Sequence, residues 1–207
     1  MIIVKLSYSI LAAWSGYRWE DAIGYYRGKD LPATEEMKLG RLKHELWAMH
    51  TQRTGKLHRD LGNYPLINPV VEQKFEKLIP LSDNISILLR GVPDLLADHP
   101  DGGGLITYEY KVGSQTATDY IDELQLDYYK LLVPDLIEGR YLCYDPYFKT
   151  RTVGVKFLTE ANALNALEHI ITYGGEIIDY LQANKLLINY KGGKYDVGQG
   201  NTGRLPT

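Results

Sequence analysis

A charged hairpin constrains this sequence more than any other segment. Residues 90–113, RGVPDLLADHPDGGGLITYEYKVG, form two apolar stretches around a glycine-rich turn, which is the pattern of two paired strands. Charged side chains nevertheless interrupt both stretches, with Asp94 in the first and Glu109 and Lys111 in the second. Because side chains alternate along a strand, Glu109 and Lys111 point to the same face.

The turn predicts which residues face each other. Counting outward from a two-residue turn at Asp101 and Gly102 pairs Asp94 with Glu109. Directly opposed residues have Cβ atoms roughly 4.5–5.5 Å apart, so two carboxylates would meet on an apolar hairpin. The additional glycines leave a second possibility open, in which a bulge shifts this register.

Two facing carboxylates repel unless a proton, a lysine or a cation intervenes. Lys111 supplies one positive charge. A hard divalent ion held by carboxylate oxygens would neutralise the pair and leave Lys111 free to act on a nearby water, which describes a hydrolytic site. The alternative is a cluster of ordinary solvated charges at the surface.

Composition sets the limits within which such a site must be built. The 207 residues, 44% of them hydrophobic, suit one globular domain with its own core. A net charge of -3 excludes a generally basic surface, so any contact with nucleic acid must come from a local patch. The single cysteine, Cys143, allows no internal disulfide and no cysteine-built metal site, which favours a reducing, cytoplasmic setting.

The opening segment MIIVKLSYSILAAWSG is apolar but has no basic n-region, and Lys5 interrupts it. We therefore expect no export signal, and since no run of about 18 apolar residues occurs, we expect no membrane span.

Periodicity predicts a mixture of helices and strands. Helical spacing occurs in residues 7–26, 35–52 and 119–136, where Pro134 limits the last helix, and again from Thr159, where Gly174 and Gly175 are expected to break or kink the helix. Strand patterns cover residues 70–78, 85–97, 105–112, 140–146 and 150–158, and residues 186–198 suit a small hairpin. A loop is expected between Arg53 and Pro69. This order favours a mixed sheet covered by helices.

The helix predicted at residues 35–52 has one prominent apolar stripe. Thr34 is the expected N-cap. The stripe consists of Leu39, Leu42, Leu46 and Met49, and we expect it to pack in the core. His44 lies on the far side of the helix, on a second face with Met37, Gly40 and Ala48 that is also expected to pack against another element.

Four spaced motifs carry a resemblance to a known family. They are Gly40-x-x-x-His44, Gly91-x-x-Asp94, Glu109-x-Lys111 and Gln125-x-x-x-Tyr129, and KLSYSILAAW near the start resembles the Ser-x-Ser-x-x-Leu entry segment of the same family. In order and spacing the series resembles the RecB-like branch of the PD-(D/E)XK nucleases, from about Ser7 to Tyr144. The resemblance implies an α/β, restriction-endonuclease-like mixed sheet flanked by helices, with an N-terminal helical segment. It places a single nuclease domain at residues 1–190 and a tail at residues 191–207.

The resemblance also implies roles for the motif residues. Asp94 and Glu109 would bind Mg²⁺ or Mn²⁺ through carboxylate oxygens, together with the main-chain carbonyl of Tyr110. His44 resembles the additional imidazole ligand of this branch, although an isolated helix histidine is more often structural. Lys111 would orient or deprotonate the attacking water.

Further residues are expected to meet the substrate. Gln125 would hold the lysine, the water or a phosphate, and Tyr129 would donate to a phosphate or stack on a base, unless both are ordinary helix residues. Phosphate affinity is expected from basic side chains, namely Arg53, Lys56, Arg59, Lys149 and Arg151.

One departure concerns cysteine. Many relatives, including the CRISPR-associated RecB-like nucleases, hold an iron–sulfur cluster with four cysteines, whereas this chain has only Cys143. We expect no iron–sulfur cluster, and a core position for Cys143.

The sequence therefore predicts a metal-dependent deoxyribonuclease that acts on single-stranded DNA or duplex ends, as an exonuclease or single-strand-preferring nuclease in DNA repair, recombination or defence. One alternative is a catalytically silent nuclease fold that serves as a DNA-binding or assembly module. Another is a different metal hydrolase on the same scaffold.

Overall fold

A computed structural model describes residues 1–29, 33–191 and 194–196 of the chain. The chain divides into two compact units. The first unit comprises residues 1–31, 76–90 and 167–207, and the second comprises residues 32–75 and 91–166. Residues 197–207, most of the expected tail, lie outside the described part.

Ten strands and five α-helices occur in the described residues. The strands are β1 (Ile2–Ser7), β2 (Ile67–Val71), β3 (Phe75–Ser82), β4 (Ile85–Gly91), β5 (Leu95–Asp98), β6 (Leu105–Val112), β7 (Leu136–Asp145), β8 (Thr150–Phe157), β9 (Asn189–Lys191) and β10 (Lys194–Asp196). The helices are α1 (Tyr8–Ser15), α2 (Trp19–Tyr26), α3 (Glu35–Thr54), α4 (Gln125–Leu132) and α5 (Glu160–Ala183), and short 3₁₀ turns lie at Arg59–Leu61 and Ala117–Asp119.

The first unit contains a three-stranded sheet in the order β1-β4-β3. Strands β1 and β4 are parallel, and β9 and β10 form the hairpin expected near the C-terminus. Helix α5 runs without interruption through Gly174 and Gly175, so the predicted break is wrong. Gly174 instead permits close packing, because a Cβ there would lie 2.5 Å from Cδ1 of Ile87.

The second unit contains a five-stranded mixed sheet in the order β2-β5-β6-β7-β8. Strands β6 and β7 are parallel, and the other neighbours are antiparallel. Apolar side chains cover both faces. Face A packs against Trp47 of α3 and includes Leu95, Ala97, Ile106, Tyr108, Tyr110, Leu142 and Tyr144. Face B packs against Leu126 and Tyr129 of α4 and includes Leu96, Leu136, Tyr141 and Cys143.

Helix α3 begins and ends as its sequence predicts, but it buries a different face. The hydroxyl of Thr34 accepts a 3.2 Å hydrogen bond from the amide of Met37, and Gly55 ends the helix in a left-handed conformation. The buried residues are Trp47, Ala48 and Thr51. The predicted stripe of Leu39, Leu42, Leu46 and Met49 is exposed, so its assignment to the core is wrong.

Each of two predicted strands is interrupted in the structure and forms two separate strands. The stretch predicted at residues 70–78 is divided between β2 and β3, where Glu72 has φ 53°. The stretch predicted at residues 85–97 is divided between β4 and β5, whose members belong to different sheets. Pro93 lies in this second interruption and has no amide hydrogen for a sheet hydrogen bond. Strand β1 was not expected from the sequence.

Helices alternate with groups of strands along the chain, as the predicted mixed fold class requires. None of the helices in the described residues is both long and apolar enough to cross a membrane.

Candidate active site

The hairpin of β5 and β6 has the register that the two-residue turn predicts. Leu95 pairs with Tyr108, and Asp98 pairs with Leu105, so the glycines introduce no shift between these strands. Asp94 immediately precedes β5 and therefore lies beside Glu109. Its amide nitrogen is 3.3 Å from Oε1 of Glu109. The predicted register is confirmed, and it places the two acidic residues next to each other.

Glu109 is a buried carboxyl group on face B, with 4% of its surface exposed. Burial, followed by the negative charge of Asp94, raises the pKa of Glu109 to about 8. The side-chain amide of Gln125 donates a 2.7 Å hydrogen bond to Oε2 of Glu109. Gln125 thus fixes the position of this carboxyl group, whereas burial and the charge of Asp94 favour its neutral form.

The carboxylate of Asp94 contacts both the main chain of β6 and a side chain of α3. Its Oδ2 accepts a 2.7 Å hydrogen bond from the amide of Tyr110, and its Oδ1 lies 3.3 Å from Nδ1 of His44. The imidazole of His44 stacks on Trp47 and meets the edge of Tyr110, with ring centroids 6.1 and 5.7 Å away. Helix α3 therefore directs His44 toward Asp94, as the motif order implies.

Lys111 extends on the same side of β6 as Glu109. Its ammonium group donates a 2.8 Å hydrogen bond to Oε1 of Gln125. The same nitrogen lies 5.2 Å from the ring centre of Tyr120 and 5.6 Å from that of Tyr141. These aromatic faces stabilise a cation at this position.

Gln125 is the first residue of α4 and connects the charged groups. Its amide nitrogen donates to Glu109 and lies 3.1 Å from the hydroxyl of Tyr129, while its oxygen accepts from Lys111. One side chain thereby fixes the separation of the lysine and the carboxyl.

Tyr129 does not have the expected role of a base-stacking residue. Its ring is buried on face B, so it offers no surface to a base. Its hydroxyl belongs to the Gln125 network, and burial raises the pKa of Tyr129 well above its ordinary value. The residue supports the site from within the core.

A cleft of about 720 Å³ lies beside this cluster and is lined by some of its members. Its lining includes His44, Tyr110 and Lys111, together with Gly40, Glu72 and Tyr120. Sequence reasoning missed Glu72 and Tyr120. A left-handed glutamate carries no sequence signal, and 17 tyrosines cannot be ranked by pattern alone.

The donor types of this cluster fit a hard divalent cation, although Asp94 and Glu109 lie behind the lining of the cleft. Two carboxylates, the imidazole of His44 and the Tyr110 carbonyl are nitrogen and oxygen donors of the kind that Mg²⁺ and Mn²⁺ accept. Burial and the neighbouring charge of Asp94 raise the pKa of Glu109, and a bound cation would offset both effects. Within the described part of the chain, however, no three His, Cys, Asp or Glu side chains are already spaced as a metal site.

Cys143 is a core residue. It lies in β7 beside Lys111 of β6 and is 3% exposed. Burial raises the pKa of Cys143 to about 11, which keeps it a neutral thiol.

A second concave surface of the same unit is basic. This basic groove, about 550 Å³ in volume, is lined by Lys43, His58, Arg59, Tyr144, Lys149 and Arg151, together with Leu46 and Asp60. Asp60 is paired with Lys43 at 2.8 Å. The predicted phosphate-binding residues Arg59, Lys149 and Arg151 are thus brought together, whereas Arg53 and Lys56 are exposed outside the groove.

Comparison with known proteins identifies related folds. The sequence matches no protein-family profile and no curated protein. The crystal structure of SSO0001 is similar with a TM-score of 0.53 and 13% identity, covering 86% of this chain and 76% of that one.

The alkaline exonuclease LHK-Exo from Laribacter hongkongensis is similar with a TM-score of 0.52 and 12% identity, covering 87% of this chain and 91% of that one. LHK-Exo in complex with dAMP gives the same TM-score and coverage at 14% identity. At such identities the likeness concerns the fold. The chain has a mixed α/β fold of the restriction-endonuclease-like class, as its sequence predicts.

Proposed function

We propose that this protein is a divalent-metal-dependent nuclease that hydrolyses phosphodiester bonds in DNA. The observation that carries the proposal is the network in which Gln125 joins Lys111 to Glu109, with Asp94 adjacent. A lysine and two acidic residues meet beside an open cleft, which is what metal-assisted attack of water on a phosphodiester requires.

Four groups would hold Mg²⁺ or Mn²⁺ in this proposal. They are the carboxylates of Asp94 and Glu109, the carbonyl of Tyr110 and the imidazole of His44. A bound cation would supply Lewis-acid polarisation of the phosphate and a more acidic water. The 3.3 Å contact between His44 and Asp94 supports the inclusion of the imidazole.

Lys111 has the central catalytic role. Its ammonium group would orient the attacking water and offset the negative charge that develops on the phosphate oxygens. The bond to Gln125 holds that group near Glu109, so the lysine is oriented before substrate binds.

DNA is the substrate that the surface favours. Arg59, Lys149 and Arg151 line the basic groove of the unit that carries the site, and such cations bind phosphates. LHK-Exo, a protein of similar fold, is an alkaline exonuclease by description and has been crystallised with dAMP. We therefore propose action on single strands or duplex ends, in DNA repair, recombination or defence. The motif series supports placement in the RecB-like branch.

A second candidate is a silent nuclease fold that binds DNA without cutting it. The observation in its favour is that no three acidic or histidine ligands are already spaced for a metal in the described residues. It predicts DNA affinity that is independent of divalent ions.

The two candidates are separated by cleavage assays. Labelled single-stranded and duplex DNA would be incubated with the protein in Mg²⁺, in Mn²⁺ and in EDTA. We expect cleavage only with a divalent ion, and its loss in Lys111→Ala. Lys38→Ala is the matched control, because Lys38 is an exposed lysine of α3 paired with Glu35. Tight binding without cleavage in every condition would establish the silent candidate instead.

A further inference from the structure

The turn between β7 and β8 exposes two aromatic rings. Tyr147 is 85% exposed and Phe148 is 70% exposed. Their ring centroids lie 4.9 Å apart and their planes meet at 82°. Two adjacent large rings that remain in water favour a partner that covers them.

This turn is held in place by its own hydrogen bonds. Oδ1 of Asp145 accepts from the amide of Tyr147 at 2.8 Å and from the amide of Phe148 at 3.1 Å. Pairing of Asp145 with Thr150 closes the hairpin directly behind the turn. The rings are therefore presented by an ordered element, which lowers the entropic cost of binding.

Cations adjoin the two rings. Lys149 directly follows Phe148, Arg151 comes two residues later, and both line the basic groove. The guanidinium of Arg151 lies close to Gly62, where a Cβ would be 3.1 Å from Nη1. The groove has four cationic side chains, and its carboxylate, Asp60, is paired with Lys43. The neighbourhood of the rings is thus positively charged.

The rings also lie within reach of the candidate active site. Cys143 pairs with Lys111 in the sheet, and Tyr147 comes four residues later. Four residues span at most about 14 Å, and neighbouring strands are about 4.8 Å apart. A bound polymer that passes over Lys111 can therefore extend to the turn.

We propose that the Tyr147–Phe148 turn is a stacking platform for the unpaired bases of a nucleic-acid strand whose phosphates lie in the basic groove. Bases stack on aromatic side chains while cations bind the backbone, and this combination recognises single strands without regard to sequence. An intact duplex keeps its base faces covered, so the partner is a single strand or a frayed end. The inference rests on the proposed function and specifies that the substrate of the same site is single-stranded nucleic acid.

The test compares the double variant Tyr147→Ala/Phe148→Ala with the control Phe157→Ala. Phe157 is an exposed aromatic at the far end of β8, 75% exposed, and does not line the groove. Fluorescence anisotropy would measure affinity for a single-stranded oligonucleotide and for an abasic strand of equal length, both in EDTA. Loss of stacking should weaken binding of the oligonucleotide about 5- to 150-fold for each base. Binding of the abasic strand should stay unchanged, and Phe157→Ala should match the wild type on both.

Equal affinity of the double variant and the wild type for the base-containing strand would overturn the inference. Equal weakening on both strands would overturn it as well, because the rings would then act independently of the bases. If the wild type cleaves DNA but the double variant binds the oligonucleotide with unchanged affinity, the stacking platform is refuted and the proposed hydrolytic function is not. Base-dependent binding without any cleavage would support the platform and refute the hydrolytic function.

Discussion

The ammonium group of Lys111 donates a 2.8 Å hydrogen bond to the side-chain oxygen of Gln125, which lies on the helix that packs against the same face of the sheet. The amide of Gln125 in turn holds Glu109. A strand side chain and a helix side chain are thereby fixed to each other across the core. The position of the reactive lysine thus depends on the placement of α4.

Gln125→Leu should reduce turnover while leaving DNA binding nearly intact. Leucine has a similar volume but makes neither hydrogen bond, so Lys111 and Glu109 lose their shared support. Losing one such polar group from an active site costs about 10²-fold or more in kcat. Steady-state kinetics on labelled DNA would measure kcat and KM separately, with Gln182→Leu, an exposed position of α5, as the control. An unchanged kcat would remove Gln125 from the mechanism.

In the metal-free protein, Glu109 should make stability fall with rising pH. Its pKa is about 8 in the folded protein against an ordinary value of 4.5. Between these values the folded state binds more protons than the unfolded state, so the free energy of unfolding decreases by up to about 1.4 kcal/mol per pH unit. Urea denaturation in EDTA from about pH 5 to pH 8 would measure the free energy of unfolding at each pH. Glu109→Gln cannot titrate and should show a smaller decrease, and parallel pH profiles would contradict the assignment.

Gly91→Ala and Gly40→Ala should have opposite effects on stability. A Cβ at Gly91 would lie 2.6 Å from Leu132 and 3.1 Å from the ring of Tyr129. The added methyl group overpacks face B and should cost about 1–3 kcal/mol. Gly40 lies within α3 with nothing within 4 Å of an added Cβ, so alanine should stabilise the helix by about 0.5–1 kcal/mol. Thermal denaturation would compare the two, and equal effects would refute the packing argument.

The exposed stripe of α3 should tolerate polar substitution. Leu42 is 63% exposed, so Leu42→Gln should change the free energy of unfolding by no more than about 0.5 kcal/mol. Trp47 is fully buried, and Trp47→Ala should cost about 3–5 kcal/mol. Chemical denaturation of both variants would decide the matter. A large loss in Leu42→Gln would show that the stripe is packed after all.

Short-range sequence patterns are sufficient to predict the part of the candidate site that lies on the hairpin of β5 and β6. Strand alternation and a two-residue turn determine the pairing of β5 with β6, and both can be read from residues 90–113. The N-cap at Thr34 and the full length of β6 were equally predictable, because caps and alternation act over a few residues. His44 and Gln125 reach the hairpin as the motif series implied.

Predictions that depend on tertiary packing were less successful. The apolar stripe of α3 is exposed because the sheet contacts the face that contains Trp47 and Thr51, and periodicity alone cannot say which face meets the sheet. The burial of Tyr129 likewise follows from the position of α4 on face B. The positive φ of Glu72, which separates β2 from β3, has no sequence signal. Pro93, which separates β4 from β5, is by contrast a recognisable strand-breaking residue.

The most direct measurement is the anomalous scattering of crystals grown with Mn²⁺. We expect one strong peak bound by the carboxylates of Asp94 and Glu109 and the carbonyl of Tyr110, with His44 as a further ligand and the ammonium group of Lys111 beside it. A peak elsewhere, or none between these two carboxylates at saturating Mn²⁺, would contradict the account.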